Sequence, residues 1–228
     1  MWRAALVLSC AALAASTAAP RCHASFNNAT QLETPCYTVV KQAPSPAGSL
    51  ELRRYAGAAA TVVACNASAT ITTYQEALEL TGFYVIEYFL GGGNALNRSL
   101  LDSRTVPFTL HPPTRARNTW QGRMALAPSQ WPPHSHPPAA AGSEGGFLGL
   151  EPLGRGAFLL ASLHRQFQQV PQPSDREALC ASLTSSLGLL GAALDPSSVY
   201  SPAHAYYTGR AVIVEYYDVE CWLGVTAA

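Results

Sequence analysis

A clear helical periodicity runs over residues 73–90, where apolar side chains recur every three to four positions. This spacing places them on one face of an α-helix. The segment opens with Thr73 and Glu76 in the T-x-x-E arrangement of a capping box. It ends at three glycines, 91–93, which readily adopt the left-handed conformation found at helix C-termini. The pattern therefore predicts a helix over 73–90.

A second helical pattern covers residues 175–194 and carries a leucine at every third or fourth position. Ser174 and Glu177 form another capping-box pattern at its start. Asp195-Pro196 ends it, because the residue before a proline disfavours the helical conformation. The leucine stripe predicts a helix that packs one face against the core.

Before and after these helices, short runs of β-prone residues are separated by turn residues. Two runs precede each helix and two follow it, so the order strand, strand, helix, strand, strand occurs twice. An internal duplication explains this order. Eight strands and two helices predict an α+β domain with one closed or nearly closed sheet and the helices packed outside it. The predicted strands are residues 36–41, 50–63, 105–111, 119–127, 147–151, 157–164, 203–214 and 217–225.

The N-terminal segment 1–24 has the layout of a secretory signal peptide. A short basic start is followed by an apolar run over 4–15 and by small residues, and this run is too short to span a bilayer. Cleavage is expected between residues 18 and 24, leaving a single domain over 25–228. We therefore expect a protein of the secretory pathway, extracellular or vacuolar. A buried N-terminal helix is the alternative.

Cysteine use fits export, because disulfides persist in oxidising compartments. Cleavage after Ala24 leaves four cysteines, which allow two disulfides in three connectivities, whereas earlier cleavage also leaves Cys22 and an odd number. Buried free thiols are the alternative. Three Asn-x-Ser/Thr sequons fit a secreted glycoprotein. The disulfide candidates are Cys36, Cys65, Cys180 and Cys221, and the glycosylation candidates are Asn28, Asn66 and Asn97.

The overall charge is balanced, with 14 basic and 14 acidic residues. Nucleic acids and anionic membranes attract clustered cations, so neither is an expected partner. The sequence has no G-x-S-x-G, H-E-x-x-H, Walker or dinucleotide-binding motif, and we expect no enzyme activity. His134 and His136 offer only two ligands among prolines, so no metal site is predicted.

Four groups of residues, in chain order, resemble the SOUL/heme-binding family. The first joins 33–37 (ETPCY) and 50–55 (LELRRY), which are similar to the family's E-x-P-x-Y and Y-E-I-R-x-Y. The second, 88–94 (YFLGGGN), is similar to Y-I-x-G-x-N. The third, 104–108 (RTVPF), stands where the family has M-T-x-P-V, and the fourth, 220–223 (ECWL), resembles N-E-V-W-L. Exported plant members also carry a signal peptide, so the chain resembles a secreted plant or algal member.

The resemblance implies a distorted eight-stranded antiparallel β-barrel with two flanking helices, built from two pseudo-repeated halves. It also implies an open hydrophobic groove near the first helix that holds heme or a related tetrapyrrole non-covalently, as a carrier or buffer without catalysis. Apolar side chains would cover the flat tetrapyrrole ring, and cations would pair with its propionates. The expected ligand-binding residues are Arg53, Arg54, Leu78, Phe83, Tyr84, Ile86, Phe89 and Arg104.

Two of these positions depart from the family pattern. Arg54 stands where some members have a histidine proposed as an iron ligand, and Arg104 replaces the methionine of M-T-x-P-V. An iron bond from position 54 is therefore excluded. Two alternatives stay open: an enzyme that acts on a tetrapyrrole or another apolar small molecule, and a protein-interaction module without a ligand.

Overall fold

A computed structural model of the chain describes residues 20–23, 33–57, 60–65, 73–90, 94–97, 108–113, 119–126, 139, 148–169, 171–198, 200, 203–207 and 217–228. These residues form eleven strands and two helices in a mixed α+β arrangement. The strands are β1 (Arg21–His23), β2 (Glu33–Ala43), β3 (Ser49–Tyr55), β4 (Ala60–Cys65), β5 (Phe108–His111), β6 (Gln121–Ala125), β7 (Leu148–Pro152), β8 (Phe158–Phe167), β9 (Ala192–Leu194), β10 (Ala203–Tyr207) and β11 (Tyr217–Ala227). The helices are α1 (Tyr74–Leu90) and α2 (Pro173–Leu190).

The first helix, α1, begins and ends where the sequence predicts. The backbone N–H of Glu76 donates a hydrogen bond to Thr73 Oγ1 at 3.3 Å. In return, the backbone N–H of Thr73 donates to the Glu76 carboxylate at 3.4 Å. These two contacts satisfy backbone donors that have no partner inside the helix, so the predicted capping box is confirmed.

The second helix, α2, starts at Pro173, which suits the first turn because its missing N–H needs no partner there. The backbone N–H of Gln172 donates to the Asp175 carboxylate at 2.9 Å. The capping pair predicted from the sequence is therefore wrong, since it lies two residues too late. The helix ends at Leu190, four residues before the predicted end at residue 194, because Gly191 adopts a left-handed φ of 64° as the C-cap and residues 192–194 form β9.

The strands pair antiparallel in one sheet with the order β1-β2-β3-β8-β11-β10-β5-β6-β4-β7, and β9 pairs with β11. The run predicted over residues 50–63 divides into two strands in different parts of this sheet. Its first part, β3, pairs with β2 and β8, whereas its second part, β4, pairs with β6 and β7. The sequence did not predict β1 or β9.

The pairing relates the two halves of the chain by a pseudo-two-fold order. In the first half, β4 leads into α1 and pairs with β6, which pairs with β5. In the second half, β8 leads into α2 and pairs with β11, which pairs with β10. Each half also lends a strand to the other, because β3 pairs with β8 and β7 pairs with β4. The predicted duplication thus has a counterpart in the topology.

Among the described residues, no ladder joins the two ends of this sheet, so a closed barrel stays a prediction. One backbone hydrogen bond links the turns that follow β3 and β7: the N–H of Gly154 donates to the carbonyl of Gly57 at 3.1 Å. A Cβ on Gly57 would lie 2.1 Å from the carbonyl oxygen of Gly156. Gly57 also has a φ of +77°, so both the close approach and the backbone conformation require glycine there.

Both helices cover the same face of the sheet, which we call the outer face. Under α1, Val85 and Tyr88 are buried in one apolar cluster. Under α2, Leu50 and Leu52 of β3 belong to a second cluster with the helix. The predicted leucine stripe is confirmed by the buried side chains Leu179, Leu183, Leu187 and Leu190. Among the described residues, neither helix is both long and apolar enough to cross a membrane.

Two disulfides reinforce the sheet. Cys180–Cys221 ties α2 to β11, and Cys22–Cys36 ties β1 to β2. The candidate set from the sequence therefore needs a correction, because it left out Cys22. The side chain of Cys65 lies outside the described ones. Two disulfides indicate an oxidising, secretory-type environment, while the specific location stays a prediction.

The disulfide at Cys22 bears on the predicted cleavage of the leader. Cleavage after Ala24 would remove β1 and leave Cys36 without the partner it has here. Cleavage before Cys22 would keep this disulfide, and the cleavage site stays a prediction. The leader itself stays a prediction, because residues 1–19 lie outside the described residues.

Candidate functional site

The inner face of the sheet, opposite the two helices, carries most of the buried polar side chains. Residues paired across strands point to the same face, and the registers place Glu51, Ser162 and Trp222 in one row. A second row joins Thr109 and Arg123. The buried polar residues of this face are Glu51, Arg53, Thr61, Thr109, His111, Gln121, Arg123, Ser162, Asp218 and Glu220.

Arg53 is the centre of a buried ion-pair network on the inner face. Its Nη1 and Nη2 donate to the Glu220 carboxylate at 3.0 and 2.6 Å, and its Nε donates to Glu51 at 2.8 Å. The Trp222 indole N–H also donates to Glu220, at 2.7 Å. Burial has the largest single effect and lowers the pKa of Arg53, but the charge of Glu220, the neighbouring Tyr55 and Tyr37, and the hydrogen bond to Glu220 together raise that pKa well above its usual value. The guanidinium is therefore a fixed buried cation.

This network does not fit the ligand-binding role that the sequence predicted for Arg53. Its side chain is 1% exposed, and two carboxylates occupy its donors. Leucine and charged residues alternate at residues 50–53. Such alternation usually marks a strand with one solvated face. Here the polar face is the inner one, so Glu51 and Arg53 are buried instead.

Arg123 makes the corresponding contact in the other half of the sheet. Its Nη2 donates to Glu151 at 2.7 Å and lies 3.3 Å from Gln121 Oε1. Arg123 reaches from β6 across β4 to β7, just as Arg53 reaches from β3 across β8 to β11. Within the described part of the chain, Arg123 Nε is buried and has no hydrogen-bond partner.

A small cavity lies beside Arg123 between the two halves. Its walls include Thr61, Thr109, Tyr200 and Trp222. Its volume is about 10 Å³, which is room for roughly one water molecule. Burial raises the pKa of Tyr200 to about 12, although the neighbouring Arg123 opposes that shift. A flat molecule of tetrapyrrole size does not fit in this cavity, so any such ligand belongs elsewhere.

The predicted groove residues on α1 divide into three groups. Phe83 and Ile86 are 57% and 50% exposed, respectively, and lie one turn apart. Leu78 and Tyr84 are half-buried. Phe89 is buried with the apolar cluster under α1, so it belongs to the core. The structure therefore brings Phe83 and Ile86 together on one exposed face, which we call the α1 apolar face.

The predicted cations do not meet at this face. Arg54 is exposed on β3, which pairs with β8 in the half covered by α2, whereas α1 packs on β4, β5 and β6. Arg104 lies outside the described residues. Arg53 is therefore buried and Arg54 lies in the other half of the sheet. A role for Arg104 near the ligand stays a prediction.

Asn97 is the one glycosylation candidate whose position is described. It is exposed in the turn after α1 and adopts a φ of 48°. Such a surface turn is accessible to modification. Asn28 and Asn66 lie outside the described residues, and glycosylation stays a prediction at all three positions.

Comparison with known proteins assigns neither a family nor a function. No protein-family model and no curated protein matches the chain. A solved structure described as a hydrolase from Listeria innocua is 10% identical, with a TM-score of 0.42, and the match covers 77% of this chain and 91% of that one. An uncharacterized conserved protein from the same organism is 11% identical, with a TM-score of 0.41, covering 77% and 92%, respectively. Likenesses this weak assign no function.

Proposed function

We propose that the protein binds a flat apolar small molecule on the α1 apolar face and releases it unchanged, and that this molecule is heme or a related tetrapyrrole. The observation that carries the proposal is the exposure of Phe83 and Ile86, one turn apart on a helix whose other described apolar side chains are partly or fully buried. Two large exposed apolar side chains on one helix face offer a surface for a plate-like ligand.

The small volume of the inner cavity, compared with the open α1 apolar face, supports an external position for the ligand. The inner cavity of about 10 Å³ admits roughly one water molecule. On the outside, covering several hundred Å² of a plate at about 25 cal/mol/Å² contributes on the order of 10 kcal/mol. Association costs of about 4–15 kcal/mol offset most of that, so micromolar affinity without an iron bond is the expected range.

The resemblance to the SOUL/heme-binding family supports the same ligand class. One of the sequence motifs that carry this resemblance, residues 88–94, contains the end of α1. The two-fold order of the strands also agrees with the fold that the resemblance implies. We propose membership of this family and closure of the sheet into a distorted barrel on that basis. Export as a secreted glycoprotein is part of the same proposal.

The test is a titration of the mature, oxidised protein with hemin and with zinc protoporphyrin, followed by visible absorbance. Both should give a saturable change at micromolar ligand. The double variant Phe83→Ser/Ile86→Ser should bind about 10- to 100-fold more weakly, because fully burying a large apolar side chain is worth about 1.5–3 kcal/mol and the ligand would cover only the exposed half of each side chain.

Leu189 provides a matched control, because it is 55% exposed on α2, the equivalent helix of the other half. Leu189→Ser should leave both titrations unchanged. Equal losses in the Leu189 variant and the α1 variant would indicate non-specific adsorption. No saturable change with either ligand would refute tetrapyrrole binding.

A further inference from the structure

The α1 apolar face has an acidic rim. Glu79 and Glu87 lie four residues before and after Phe83, and side chains four apart on a helix are neighbours at about 5–6 Å between Cβ atoms. Glu79 is exposed and Glu87 is half-buried. Glu76, one turn further toward the helix start, is also exposed. A flat ligand centred on Phe83 would therefore place its edges over carboxylates.

No basic residue of α1 compensates these charges, since residues 74–90 contain neither lysine nor arginine. Arg176 of α2 does contact α1, with its guanidinium 3.9 Å from the Tyr74 ring centroid. It is 3% exposed, and Tyr74 lies thirteen residues before Glu87, or about 20 Å along the helix axis. Glu79 is five residues from Tyr74, or about 8 Å, so Arg176 offsets part of the charge at Glu79 and has little effect at Glu87 when the Debye length is about 10 Å at 0.1 M salt.

Resting on the proposed function of this face, we propose that its acidic rim selects, among flat apolar ligands, those that are cationic at the edge, so that heme, whose propionates are free carboxylates, binds there more weakly than a cationic tetrapyrrole. The carboxylates of Glu79 and Glu87 would attract positive groups on the plate and repel propionates. Exposed charge pairs are each worth about 0.2–1 kcal/mol, so the two together should change affinity by about 2- to 30-fold at low salt. Contact with the apolar side chains would supply most of the affinity, and the acidic rim would discriminate between ligands of opposite charge.

The experiment compares two water-soluble zinc porphyrins of opposite charge, one with four N-methylpyridinium groups and one with four sulfonatophenyl groups. The cationic porphyrin should bind about tenfold more tightly at low salt. Added salt should weaken the cationic complex and strengthen the anionic one, because screening acts on attraction and repulsion alike. In Glu79→Gln/Glu87→Gln, both the preference and the opposite salt responses should disappear.

Glu177, which is exposed on α2, is the control position. Glu177→Gln should leave the charge preference as it is in the unaltered protein. If the anionic porphyrin binds as tightly as the cationic one while Phe83→Ser weakens both, the charge inference is wrong and the binding face stands. If neither porphyrin binds and hemin also fails, the proposed function is wrong, and the charge inference with it.

Discussion

Replacing Arg53 by leucine should destabilise the protein strongly, because it would leave two buried carboxylates without their cation. Arg53 donates to Glu220 through two nitrogens and to Glu51 through a third, and all three side chains are at most 1% exposed. Removing one partner from a buried ion pair costs about 3–5 kcal/mol. We therefore expect Arg53→Leu to lower the free energy of unfolding by about 3–5 kcal/mol.

The neighbouring Arg54 is the control. It is exposed on the same strand, and substitutions at such positions usually change stability by less than about 0.5 kcal/mol. The assay is urea unfolding of both variants, followed by circular dichroism at fixed pH and salt. Similar small losses in Arg53→Leu and Arg54→Leu would refute the buried network.

A triple variant separates the charge effect from the packing effect. Glu51→Leu/Arg53→Met/Glu220→Leu removes every charge of the network and keeps apolar volume. Apolar replacement of a whole buried ion network is often neutral or stabilising by about 1–4 kcal/mol. The Trp222 N–H would lose its acceptor, which costs about 1–3 kcal/mol. The triple variant should therefore be more stable than Arg53→Leu alone; if it is less stable, the charges are not the cause.

Three further outcomes are expected. Replacing both Cys180 and Cys221 by alanine should lower the free energy of unfolding by about 4 kcal/mol, since the bond closes a loop of 41 residues; an unchanged urea midpoint would contradict this. Protein recovered from the medium of secreting cells should retain Cys22 when its N-terminus is determined by mass spectrometry; a chain that starts at residue 25 would contradict the disulfide. Burial raises the pKa of Tyr88 and of Tyr200 to about 12, above the unfolded value near 10, so their contribution to stability is complete below about pH 10 and lost as the pH rises to about 12. Alkaline titration by ultraviolet difference absorbance should show late-ionising tyrosines in the folded protein, and ionisation of every tyrosine near pH 10 would contradict their burial.

The sequence predicted the local elements well because their determinants are local. Thr73 and Glu76 contact each other across one turn, so the start of α1 could be predicted from four adjacent residues. The leucines of α2 recur with the helical period, so its buried face could be predicted too. For α2, Pro173 and Asp175 gave an equally local signal that the S-x-x-E pattern obscured.

The candidate site was predicted only in part. Phe83 and Ile86 are exposed on α1 as a ligand surface requires, but Phe89 is in the core, because helical spacing alone does not tell which side of a helix meets a sheet. The acidic rim was present in the sequence at Glu79 and Glu87. Its relevance to a ligand became apparent once Arg53 and Arg54 were found on β3, away from α1.

By itself, the sequence determined the two helices, most of the strands, the repeated order of the halves and the cysteines available for an oxidising environment. Tertiary structure alone decided that β3 and β4 pair in different parts of the sheet, that Cys22 bonds to Cys36, and that Glu51 and Arg53 are buried. The physical reason is the separation along the chain between the residues that interact. A cap or a helical stripe is stabilised by residues a few positions apart, whereas a strand's partners, and the side of the sheet that is shielded from water, depend on segments that are distant along the chain. Arg53 shows the difference, because its principal partner, Glu220, is 167 residues away along the chain.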